Sequence, residues 1–180
     1  AELTVLPTLW YRNTWSWGSG IRRPCFKQGE SIKHMSVIET THEHYGVRRL
    51  LCEGQPTLLF TENETNTRRL YGDREGARYV KDSFHNYVVE GEKEAVNPDH
   101  VGTKAAAQYV LTLAPNEMKI IRLRFTNEAH SSGFTEEDFD RVFTNRLQEA
   151  NEFYDRLTPI HLSEDARRVQ RQAFAGLLWS

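Results

Sequence analysis

Two short stretches hold the side chains best equipped for chemistry. The first, Pro7 to Gly18, sets Trp10, Trp15 and Trp17 within eight positions, beside Tyr11, Arg12 and Asn13. Indole rings stack on the apolar C–H faces of sugars, while Arg and Asn supply hydrogen bonds to hydroxyls. The combination points to a carbohydrate-type surface. In an extended strand, Leu9, Tyr11, Asn13, Trp15 and Trp17 share one face. The second stretch, Glu62-Asn63-Glu64-Thr65-Asn66, places two carboxylates one residue apart between amides. On a strand they would share a face, and like charges so close raise one pKa. Asn63 and Asn66 complete a polar rim. Arg12, Asn13, Trp15, Trp17, Glu62, Asn63, Glu64 and Asn66 are therefore the candidate substrate-binding residues. Both stretches also have plainer readings, as packed core indoles and as a solvated turn.

Other polar groups carry less. His42-Glu43-His44 beside Glu39 has the HxH spacing of a metal pair, but no further ligand pattern accompanies it, and no metal is expected. Lys81, Asp82 and His85 read as a structural salt bridge rather than a proton relay. Arg12 could also fork onto a carboxylate as a structural anchor. Asn63-Glu64-Thr65 spells a glycosylation sequon, meaningful only in a secreted protein. No Gly-rich phosphate loop, GxSxG elbow or Cys–His arrangement occurs, so no cofactor is expected. Cys25 and Cys52 make neither a disulfide framework nor a zinc site, though a single bridge stays open.

The 180 residues carry 23 basic and 25 acidic side chains, for a net charge of −2. That balance argues against nucleic acid as a partner. No apolar run approaches the roughly 20 residues needed to span a bilayer, and no signal-peptide pattern opens the chain. No membrane partner is expected, and the location is expected to be cytoplasmic. The chain begins in strand register without a start methionine, as a segment of a longer protein would.

The elements that must position these groups are mainly β. Residues 3 to 17 read as one strand or two, ending in a turn at Gly18-Ser19-Gly20. Strands flanking the tip Thr40 to His44 make a hairpin over 31–52, and Thr57 to Thr61 is a short strand. The segment 70–78 reads as a loop, and Val80 to Val89 alternates as a strand. Ala105 to Leu113 and Met118 to Phe125 are expected to form a hairpin. After Asn127 the period becomes helical: Thr135 caps a helix that Thr158-Pro159 stops, and Ser163 caps a second. The second helix ends Ala173-Phe174-Ala175-Gly176-Leu177-Leu178-Trp179, apolar all round, as a helix inside a larger body would be.

Five strings, in order, carry a resemblance. LPTLWYRNTWSWG (6–18), LLFTENETN (58–66), YVKDSFHNYVVEGE (79–92), AVNPDHVGTKAAAQY (95–109) and LSEDARRVQRQAFAGLLWS (162–180) resemble proteins of glycoside hydrolase family 63, relatives of the processing α-glucosidases. The resemblance implies an antiparallel β-sandwich, part of a super-sandwich, over residues 1–127. A linker helix over 128–161 and the first helix of an α/α barrel over 162–180 would follow. In that family the catalytic carboxylates lie in the barrel and act with inversion, so no catalytic residue is carried over. The implied role is a non-catalytic portion that braces the barrel of the same polypeptide and lends a loop to the pocket for an oligosaccharide or small glycoside. The alternative is a stand-alone carbohydrate-binding or protein-interaction module.

Overall fold

The computed structural model describes residues 1–18, 20, 22–127, 133–159 and 161–179, with the side chain of Trp17 outside the described set. In chain order the strands are β1 (Glu2–Val5), β2 (Thr8–Trp10), β3 (Cys25–Gln28), β4 (Ser36–His42), β5 (Gly46–Cys52), β6 (Thr57–Thr61), β7 (Val101–Gly102), β8 (Lys104–Thr112) and β9 (Leu123–Thr126). The helices are α1 (Thr67–Tyr71), α2 (Ser83–His85), α3 (Glu136–Leu157) and α4 (Glu164–Trp179). The chain is β-rich: two antiparallel sheets followed by two C-terminal helices.

The first sheet is built on β8. Strands β1 and β2 run along one edge in a continuous register, Glu2 opposite Thr112 and Trp10 opposite Lys104. Pro7 breaks the ladder between them because it has no N–H to donate, and its carbonyl accepts from the Ala107 amide at 3.0 Å. Strand β6 takes the other edge, with Leu59 opposite Ala106. The second sheet has the order β7-β3-β4-β5-β9.

Alternation along the strands explains the packing. Phe26, Ile38, Leu50 and Cys52 of the second sheet meet Leu58, Phe60, Ala105 and Ala107 of the first in one buried cluster. The residues between them, Leu59 and Ala106, face the other way and lie beneath Phe84 and Val96. The run Ala105-Ala106-Ala107 is thus buried on both faces. Burying each large side chain contributes about 1.5–3 kcal/mol, so this two-sided core outweighs any single surface contact.

Two strand expectations fail. The expected strand over 80–89 is instead a turn at 81–82 followed by helix: α2 begins at Ser83 and continues into a π-helical turn over Asn86–Glu90. The buried residues there, Val80, Ser83 and Phe84, follow i, i+3, i+4 spacing, which cages one face against the first sheet. Nor do residues 105–125 form a hairpin. After β8 the chain crosses to the other sheet, where β9 pairs with β5, Leu50 opposite Phe125. Arg122 is buried at this crossing; its amide donates to Glu53 Oε2 at 2.9 Å and its guanidinium faces Glu53 at 3.4 Å. The expected loop over 70–78 begins later than drawn, since α1 runs to Tyr71.

Tight contacts divide the chain into Ala1–Gly133 and Phe134–Ser180. The expected boundary at 127/128 and the linker start fall on residues 128–132, outside the described residues, as do Ile160 within the expected linker and Ser180. In the second unit, Thr135 Oγ1 accepts from the Asp138 amide at 3.1 Å, the N-cap that the sequence implies. Ser163 Oγ accepts from the Ala166 amide at 3.2 Å and opens α4. Arg171 of α4 donates to Asn151 of α3 at 2.7 Å and lies over the Tyr154 ring. No described residue of either helix is buried, and Trp179 is 94% exposed. Among the described residues, no helix is long and apolar enough to cross a membrane.

Candidate functional site

Strand β2 ends at Trp10, so the expected single strand face for Asn13, Trp15 and Trp17 does not exist. The chain instead turns, with a 3-10 turn over Trp15–Trp17 that ends at Gly18 in the left-handed region (φ 72°). Asn13 makes the turn. Its Oδ1 accepts from the Ser16 amide at 3.1 Å, and its Nδ2 donates to Ser16 Oγ at 2.9 Å. The same Nδ2 reaches the Asn63 carbonyl at 2.8 Å.

Strand β6 stops at Thr61, and the Glu62–Asn66 string wraps back against this turn. Asn63 is only 9% exposed. Its amide nitrogen Nδ2 donates to the Tyr11 carbonyl at 2.9 Å, and its backbone N–H donates to Thr103 Oγ1 at 2.7 Å. That burial and commitment take it out of reach as a glycosylation acceptor. Thr103 Oγ1 donates in turn to Glu62 Oε2 at 2.8 Å.

Glu62 and Glu64 do not confront each other as an unrelieved like-charge pair. One nitrogen, Arg23 Nη2, lies 2.6 Å from Glu62 Oε2 and 3.0 Å from Glu64 Oε1. Trp15 Nε1 donates to Glu64 Oε1 at 3.3 Å. Two carboxylates gathered on one guanidinium leave no space for a scissile glycosidic bond between them, so they are not an acid–base pair of the glycosidase kind.

Asn66 is a cap. Its Oδ1 accepts from the Arg69 amide at 3.0 Å at the start of α1, and its Nδ2 donates to both oxygens of Asp82, at 3.2 and 3.0 Å. Asp82 pairs with Arg69 at 3.3 Å. The expected salt bridge of Lys81, Asp82 and His85 therefore has a different partner. Lys81 holds its place through its backbone, its N–H donating to the Glu64 carbonyl at 3.1 Å. The Lys104 ammonium donates to the Lys81 carbonyl at 3.1 Å and sits 4.8 Å from the Phe84 ring centre. Burial, aided by the Lys81 charge, pushes the Lys104 pKa down.

Between the turn and the string lies a groove of about 600 Å³. Trp10, Arg12, Asn13 and Ser16 form one side, and Asn63, Glu64, Thr65, Thr67 and Lys81 the other. Trp10 is 55% exposed there. The geometry brings together Arg12, Asn13, Asn63 and Glu64 as lining, with Trp15 bonded to Glu64 from behind and Glu62 tied in only through Thr103 and Arg23. Asn66 lines the adjoining cavity instead, and the Trp17 side chain lies outside the described set. Trp10, Arg23, Thr103 and Lys81 are additions. Trp10 stood in the aromatic stretch on the strand face it would share with Arg12, opposite Asn13, Trp15 and Trp17, whereas no local pattern marks Arg23, which acts across 39 residues.

The other sequence candidates are structural. His42 packs between Tyr11 and Tyr45, with ring centres 4.5 and 4.7 Å away, and its Nδ1 accepts from the His44 amide at 3.1 Å. Burial first, then His44, pushes its pKa down. Glu39 is bound by Lys27 at 2.8 Å and Arg49 at 3.0 Å. Among the described residues no cluster of His, Cys, Asp or Glu is disposed to hold a metal ion. Cys25 and Cys52 are both free thiols.

An uncharacterized protein of Saccharomyces cerevisiae, YMR196W, is 35% identical over 213 aligned positions that take in 99% of this chain. The chain spans 19% of that protein's length. No protein-family profile matches the chain. No solved structure matches it either.

Proposed function

We propose that the chain is the non-catalytic β-sandwich portion of a family 63-like glycoside hydrolase of the inverting α-glucosidase type. It braces an α-helical catalytic barrel in the same polypeptide and lends the groove to the sugar pocket. One observation carries the reading. The two N-terminal strings that resemble the family, 6–18 and 58–66, lie far apart in sequence yet form the two walls of a single groove. That groove joins an exposed indole to Arg, Asn, Glu and Lys side chains, the mixture a polyhydroxylated ring uses. The yeast relative leaves four-fifths of its length beyond the matched part, ample for a barrel. Glu62 and Glu64, tied to Arg23, do no acid–base work in this scheme.

The test is hydrolysis of α-glucosides and α-mannosides by the full-length protein and by the 180-residue chain in parallel. The full-length protein should release sugar with inverted anomeric configuration, read by NMR, and the chain should release none. Hydrolysis by the chain alone, or an inert full-length protein, overturns the division of labour. A stand-alone carbohydrate-binding module is the second reading, favoured by the exposure of Trp10. It predicts sugar binding by the chain with no effect of groove substitutions on any hydrolysis.

A further inference from the structure

We infer that the groove takes an extended oligosaccharide across two adjoining subsites and so selects for chain length; this rests on the sugar-groove reading above. The larger cavity does not end at its own wall. Thr65 and Lys81 also line a neighbouring cavity of about 390 Å³, whose remaining lining is Asn66, Arg69, Leu70 and Asp82. Each cavity alone falls within the roughly 300–1,000 Å³ of small-molecule sites.

Their chemistry repeats. Each couples an exposed apolar surface, Trp10 in one and the 61% exposed Leu70 in the other, to hydroxyl, amide and charged groups. A saccharide chain repeats in the same way, each unit offering a C–H face and a hydroxyl edge, so successive rings meet the same kind of wall twice. The Asp82 carboxylate of the second cavity is matched before any ligand arrives, since Arg69 pairs with it and Asn66 bonds both its oxygens, which leaves Lys81 as that cavity's remaining charge. Glu64 in the first is likewise held by Arg23 and Trp15. Walls with internally satisfied ions suit a neutral, hydroxyl-rich ligand better than an ion, whose charge would have to displace existing partners.

Lys81 stands on the boundary. Its backbone is fixed on both sides, by the Glu64 carbonyl and by the Lys104 ammonium, while its own ammonium makes no ion pair among the described residues. It is a donor left for the oxygens of the unit that crosses from one cavity to the next. A disaccharide is satisfied by one cavity, whereas a longer chain touches both Trp10 and Leu70.

Calorimetric titration of the 180-residue chain with a linear α-linked glucose disaccharide, tetrasaccharide and hexasaccharide tests this. Affinity should rise about tenfold from disaccharide to tetrasaccharide, as a second linked contact gives, and little thereafter. Leu70→Ser should reduce tetrasaccharide affinity to the disaccharide's level without changing the latter; Trp10→Ala should weaken every length. Equal affinities at all lengths, or Leu70→Ser binding the tetrasaccharide at full strength, overturns the inference and leaves the hydrolase reading to its own assay. If no saccharide binds, the inference falls and the sugar groove falls with it.

Discussion

Asn13 and Asn63 lock two distant segments by crossed hydrogen bonds. The Asn13 side chain donates to the Asn63 carbonyl at 2.8 Å, and the Asn63 side chain donates to the Tyr11 carbonyl at 2.9 Å. Each amide satisfies a backbone acceptor of the other segment, so the groove walls are set by fixed backbone rather than by mobile side chains. Replacing Asn63 by Ala strands the partly buried Tyr11 carbonyl. The expected loss is about 1–3 kcal/mol, read from the shift in denaturation midpoint. A loss below about 0.5 kcal/mol would show that the lock holds nothing.

Gly102 tests the wall from behind. A Cβ at this position would fall 2.3 Å from the Thr61 carbonyl oxygen, a backbone atom at the end of β6. Gly102→Ala must therefore push β7 from β6, and overpacking of this kind costs about 1–3 kcal/mol. Gly54→Ala is the control for crowding, because nothing lies within 4 Å of its added Cβ, although its φ of 72° adds strain of its own. Thermal unfolding of Gly102→Ala at wild-type temperature would contradict the close approach.

The two thiols should report burial directly. Burial in the core pushes the Cys52 thiol up to about 12, while Cys25 is exposed. Thiolate is the reactive form. Native protein at mildly alkaline pH should therefore react with a chromogenic disulfide at one thiol, Cys25, and at both only in denaturant. Two fast equivalents from the native protein would contradict a closed core.

Acid should loosen the second sheet through Glu39. The hydrogen bond from Lys27 chiefly, and then Arg49, hold its carboxyl below the ordinary 4.5, against the opposing effect of burial. A depressed native pKa means stability that is complete above the unfolded value and lost as pH falls through the folded one. Glu39→Gln should thus flatten the decline in unfolding midpoint below pH 4.5. At the other end, Lys27 is raised above 10.5 by the same hydrogen bond, so its contribution is present below that value and fades as pH climbs through the raised one. Both effects are small, since Lys27 is about half exposed and such pairs are screened. Identical acid slopes for wild type and Glu39→Gln would count against the triad.

The periodicities that decide the core were legible in the sequence. The hairpin of β4 and β5, the short strand β6, and the caps Thr135 and Ser163 are local features with local causes. What misled was ambiguity of period. Val80, Phe84 and Val88 alternate as a strand would, yet Val80, Ser83 and Phe84 also fit a helical face, and the first sheet offered a surface for that face. Ile121, Leu123 and Phe125 alternate cleanly with Arg122 and Arg124 too, but only Leu123–Thr126 forms a strand, and its partner is set by where Arg122 meets Glu53, a contact between distant positions. The site shows the same division. Asn13, Asn63 and Glu64 stood out by type and clustering. Arg23, which joins Glu62 to Glu64, carries no local signal, and Trp10 lines the groove because β2 stops one residue before Tyr11.

The steady-state kinetics of α-glucoside hydrolysis by the full-length protein, carrying Trp10→Ala and separately Lys81→Ala, bear most directly on the groove as a sugar wall that performs no chemistry. KM should rise about tenfold while kcat stays within about twofold, the mark of lost ground-state binding. A fall in kcat at unchanged KM would put the groove into the chemical step, and hydrolysis indifferent to both substitutions would contradict any contact between this groove and the sugar.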